Sequence, residues 1–68
     1  RIDKINMVAE LLYAEASYKV QPLRQLLMEK SYRLFDYVEA NGSTFSINRH
    51  QKMEAMRQEL DNKLSQID

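Results

Sequence analysis

One proline and one glycine interrupt the 68 residues, and around them lie three stretches with helical periodicity. This punctuation limits the fold more than any other feature. Proline has no backbone N–H, and its ring clashes with the carbonyl four residues earlier, so no helix runs undisturbed through Pro22. It is accepted in a first turn, where the N–H has no helical partner anyway. A first helix is therefore expected over Ile2–Val20 and a second over Pro22–Ala40, joined by a very short connection. Gly42 follows the second pattern, where a left-handed glycine commonly ends a helix. Ser43 and Thr44 favour a turn. Ser46 or Asn48 can cap a third helix over Ile47–Gln66. Asn48 with Gln51 has the spacing of a capping box, with Ile47 as its hydrophobic staple. With no strand pattern, the fold class is all-α: one three-helix domain spanning residues 1–68.

The apolar faces predict how the helices pack. Ile2, Ile5, Val8, Ala9, Leu12, Tyr13, Ala16 and Val20 share one arc of the first helix. Met7, Leu11 and Tyr18, bordered by Ala14, form a second stripe on its back. On the second helix Leu23, Leu26, Leu27, Leu34, Tyr37 and Val38 make one face, and Met28, Tyr32 and Phe35 widen it past half the circumference. So wide an apolar arc marks a helix covered on more than one side, so the second helix is expected at the centre. The third carries a narrow seam of Met53, Met56, Leu60, Leu64 and Ile67 and lies outside.

A chain this short buries only about 60% of its unfolded surface, which leaves a marginal core. Without cysteine it has neither disulfides nor a thiolate zinc site. A second chain is the remaining route to stability. The exposed stripes Met7, Leu11, Tyr18 and Met28, Tyr32, Phe35 are the expected interface, with Leu11 and Phe35 at its centre and a two-fold homodimer as the first expectation. Another helical protein laid into the same surface is the other possibility.

Charge narrows the function classes. Ten basic and ten acidic residues balance, which argues against binding driven by attraction to phosphate alone. A nucleic-acid contact by a dimer remains the alternative, with Lys30, Arg33, Arg49 and Lys52 as its cations. Glu15–Lys19, Glu29–Arg33 and Glu59–Lys63 have the spacing of intrahelical pairs on solvated faces. No apolar run reaches membrane length and no signal-like start is seen, which with the absence of cysteine points to the cytoplasm. A chain beginning at Arg1 reads as a piece of a longer protein or a processed one.

Catalytic chemistry finds little footing. The serines lack a glycine elbow, and His50 is the sole neutral-pH base. One glycine cannot build a phosphate loop. His50 and Glu54 share a helix face, but two ligands do not close a metal site, so neither metal nor cofactor is expected. Asn41-Gly42-Ser43 matches the short glycosylation pattern and reads as a turn. The expectation is a non-enzyme: a helical protein-interaction or oligomerisation module of a regulatory protein.

The stretch RQELDNKL, Arg57–Leu64, resembles the SQELD-containing second helix of the small phosphatases that dephosphorylate sporulation response regulators in bacilli. Gln58, Glu59, Leu60 and Asp61 match, while Arg57 stands in place of the family's serine. The first helix has no counterpart in that two-helix family, and the segment after Gly42 is longer than its loop. The resemblance implies a weaker alternative, hydrolysis of an aspartyl phosphate on a receiver domain, with Gln58 and Asp61 carrying the activity.

Overall fold

A computed structural model describes residues 2–42 and 45–65, with side chains as far as Asp61. It contains three helices, α1 (Ile2–Tyr18), α2 (Leu23–Asn41) and α3 (Ile47–Ser65), and no strand among the described residues. The all-α fold expected from the periodicity is the fold observed. Ser43, Thr44, Gln66 and Ile67, and the side chains of Lys63 and Leu64, lie outside the described residues. No helix among those described is long and apolar enough to cross a membrane.

The helix ends follow local chemistry. α1 stops at Tyr18, two residues short of Val20, which leaves Val20 80% exposed. Pro22 accounts for the early stop: in a helix continued through it there would be no N–H for the Tyr18 carbonyl, and its ring would clash with that oxygen. The Lys19 N–H closes the last turn on the Ala16 carbonyl at 3.1 Å. The Gln21–Pro22 peptide is cis, and Pro22 sits at the N-cap of α2 rather than inside its first turn. Because proline has no capping side chain, Gln21 does that task, its Oε1 accepting from the Gln25 N–H at 3.0 Å.

Two expected caps turn out differently. Gly42 is extended (φ −92, ψ 163), not left-handed, and its N–H donates to the Val38 carbonyl at 2.7 Å. The glycine matters here for space: a Cβ would stand 2.8 Å from the Val38 oxygen. Ser46, not Asn48, caps α3, its Oγ accepting from the Arg49 N–H at 3.1 Å. Asn48 is already helical, so the Asn48–Gln51 box and the Ile47 staple do not form. Phe45, one residue before the cap, stacks instead on His50, with ring centroids 4.6 Å apart.

α2 packs against both other helices, more extensively against α1. Ala9 and Ala16 are fully buried on α1 and let the two backbones approach. Ser31 of α2 fits the same gap, its buried Oγ donating to the Ala9 carbonyl at 2.8 Å. That close contact sets the rotation of α2. Met28, Ser31, Phe35 and Val38 therefore face inward, at spacings of three and four residues. Met56 of α3 closes the core fully buried, with Tyr13, Leu27, Tyr32, Leu34 and Met53 packed around it.

Candidate interaction surface

The same rotation decides which apolar residues remain in water. With Ala9 and Ala16 turned toward α2, the opposite side of α1 has nothing packed against it among the described residues. Met7 is 62% exposed, Leu11 67% and Tyr18 83%. Lys4 before them and Ala14 between them are also exposed, so residues 4, 7, 11, 14 and 18 form one line with alternating spacings of three and four. This is the geometry of a seam that meets another helix.

The second expected stripe is corrected. Met28 is 6% exposed and Phe35 is wholly buried, while Tyr32 is half-buried against the core. The Ser31 contact pulls their side of α2 inward, and α3 covers it through Met53 and Met56. Phe35 is thus a core residue of the single chain. The residues displaced outward are Leu23, Leu26 and Tyr37, all about half exposed and all read from the sequence as core-facing. Lys30 and Arg33 are exposed on the same outer line, again at spacings of three and four. The one sequence signal for this rotation was Ser31, a small residue in register with Met28, Phe35 and Val38.

The four cations of the nucleic-acid alternative do not share one role. Arg49 is 7% exposed, and its Nε donates to Glu39 Oε2 at 2.6 Å. Lys52 pairs with Glu10 of α1, with its ammonium 5.5 Å from the centre of the Tyr13 ring. Lys30 and Arg33 remain exposed on α2. Arg49 and Lys52 thus fasten α3 to α2 and to α1.

A third ionic fastening lies at the other end of α3. Arg24 grips Glu59 with two bonds, Nε to Oε2 at 2.7 Å and Nη2 to Oε1 at 3.0 Å, and its Nη1 donates to the Ala16 carbonyl at 3.1 Å. One guanidinium therefore joins all three helices and meets a carbonyl at the negative end of the α1 dipole. The hydrogen bond to Glu59 raises the Arg24 pKa further above its ordinary value. Of the expected intrahelical pairs, Glu15–Lys19 is present at 3.1 Å. Glu29 takes a hydrogen bond from Gln25 rather than Arg33. Glu59 reaches across to Arg24, and the expected pair with Lys63 lies outside the described residues.

His50 and Glu54 do not converge. His50 Nε2 lies 2.9 Å from Glu39 Oε1, whereas Glu54 accepts from Arg57 and Gln58. Bonds from Gln58 and then Arg57 hold the Glu54 carboxyl below its ordinary pKa. The bond from Arg49, aided by His50, does the same for Glu39. In the RQELD stretch, Gln58 and Asp61 are exposed, Leu60 is half-buried and Glu59 is engaged by Arg24.

A recess of about 350 Å³ opens where the start of α1 meets the end of α2, lined by Ile2, Asp3, Asn6, Val38, Asn41, Gly42 and Arg49. The Oδ1 of Asn6 is buried there without a hydrogen-bond partner among the described residues. The Arg49 guanidinium at its wall is engaged by Glu39.

Fold and surface together define a class: a three-helix all-α domain with an apolar outer face on its first helix. No protein-family model, curated protein or solved structure matches the chain.

Proposed function

We propose that this chain is a non-catalytic helical protein–protein interaction module, serving a regulatory protein, whose contact surface is the outer face of α1. The observation that carries the reading is the line of Met7, Leu11 and Tyr18, each more than half exposed although the core is closed without them. A contiguous apolar strip on a small domain is the usual mark of a protein contact. Tyrosine and methionine, enriched in such contacts, supply two of its three large side chains. Most of the charged groups near the core are spent on holding the helices together, which suits a scaffold better than a reaction centre.

The test is site-specific photo-crosslinking in the cells that make the protein. A benzophenone side chain at Leu11 is expected to give a discrete protein adduct, and one at exposed Gln58 is expected to give none. No adduct from position 11, or equal adducts from both positions, refutes the reading.

A further inference from the structure

Resting on that reading, we infer that the occupant of the α1 face is the same face of a second copy, packed antiparallel so that Leu11 lies opposite the partner's Ala14 and Tyr18 opposite the partner's Met7. The argument is one of size, charge and area.

The outer line of α1 reads Lys4, Met7, Leu11, Ala14, Tyr18, all exposed. In a parallel pair each position meets itself. Lys4 would face Lys4 across the axis, two alanines would leave a hollow between a leucine layer and a tyrosine layer, and the helix dipoles would run side by side in the same sense.

Reversing one helix removes each of these faults. A large residue then meets a small one at the two central layers, Leu11 on Ala14 and Ala14 on Leu11. Tyr18 covers Met7 at both outer layers, a favourable sulfur–aromatic pairing. Lys4 falls opposite a point beyond the partner's Tyr18, where α1 has ended, so its ammonium stays in water. The dipoles oppose. A face that fits itself under a two-fold rotation, without burying a charge, has the property an isologous contact needs.

Area sets the strength. From Met7 to Tyr18 the strip is only about 16 Å long. At a helix width of about 10–12 Å that is roughly 160–190 Å², well short of the roughly 800 Å² per partner of a stable interface, so dissociation is expected on the order of 100 μM. The module thus suits a contact that forms when copies are concentrated or tethered in a larger assembly.

The absence of native cysteine makes the register directly readable. Leu11→Cys and Ala14→Cys chains are prepared separately, checked for unchanged helicity, and joined with a short thiol-to-thiol reagent, alone and mixed. The antiparallel register predicts that the mixture couples mainly between unlike chains, well above either chain alone. Sedimentation equilibrium of the native chain should show dimer near the expected range, and Tyr18→Ser should weaken it about tenfold or more. Preferential coupling of like chains, or a native chain that stays monomeric to millimolar concentration, overturns the inference. A monomer whose position 11 still crosslinks to a different protein would leave the interaction module standing and remove only the second copy as its partner.

Discussion

Phe35 and Leu11 make the sharpest comparison in the molecule, because periodicity alone assigned both to one interface and the fold separates them. Phe35 is fully buried among Ala9, Ala16, Met28 and Met56, whereas Leu11 is 67% exposed. Replacing a buried phenylalanine by alanine removes its transfer energy and leaves a cavity, at a cost of about 3–5 kcal/mol. A domain of this length has a total stability of only about 3–10 kcal/mol. Phe35→Ala should therefore remove about a third or more of that stability and, at the low end of the range, unfold the chain in plain buffer. Phe35→Leu, which fills most of the space, should cost about 1–2 kcal/mol and remain measurable. Leu11→Glu should change stability by no more than about 0.5 kcal/mol, because it takes nothing out of the core. The assay is urea unfolding followed by far-ultraviolet circular dichroism, at low micromolar protein so that a weak dimer does not contribute. A Leu11→Glu midpoint lowered as far as that of Phe35→Leu would refute the assignment of the two faces. So would a Phe35→Ala chain that unfolds at the native urea midpoint.

Three further outcomes follow from contacts on other elements. Ser31→Ala loses the buried bond to the Ala9 carbonyl and should cost about 0.5–1.5 kcal/mol, while Ser31→Leu, which forces α1 off α2, should cost more, both read from urea midpoints. Gly42→Ala drives a Cβ onto the Val38 carbonyl, so the melting temperature should fall even though the backbone angles suit alanine, with a loss of about 1–3 kcal/mol if the chain shifts to relieve the clash. The Glu39 carboxyl has its pKa lowered in the folded chain, chiefly by the bond from Arg49. Its contribution is thus present at neutral pH, above the unfolded value of about 4.3, and is lost as pH falls through the lower folded value. Glu39→Gln should flatten the acid limb of a stability-against-pH curve, and an unchanged limb would show that Glu39 does not supply it.

How much of this could be read from the residues depends on the range of the forces involved. The three helices were legible because their signals are local: an apolar period, a proline, a glycine and a capping serine. Even the small error at Val20 has a local cause, the reach of Pro22 back to the Tyr18 carbonyl. The outer stripe of α1 was legible too, since two apolar arcs on one helix cannot both face one neighbour. The rotation of α2 was not, because its apolar residues spread past half the circumference and a buried serine reads as polar. Ser31 wins through a close approach that exists only once α1 is in place. The partners of Arg24, Glu39 and Glu10 were equally hidden. None of the three has an opposite charge three or four residues away, so its partner is fixed only when the helices meet.

The ionic fastenings of α3 carry a consequence for the order in which the molecule comes apart. α1 and α2 share the broader contact, sealed by small residues and a buried hydroxyl. α3 adds Met53 and Met56 but is tied at both ends by charges, Arg24 with Glu59 and Glu39 with Arg49, and at Lys52 with Glu10. Salt screens these partly buried pairs less than exposed ones, but still weakens them more than it weakens buried apolar contact. The hairpin of α1 and α2 and the third helix are therefore expected to open as two units of unequal strength. In native-state hydrogen exchange the amides of α3 should lose protection first, and the gap between the two sets should widen with ionic strength. Each such opening bares Met28 and Phe35, so the groove that α3 vacates is a second apolar surface present only in that open state.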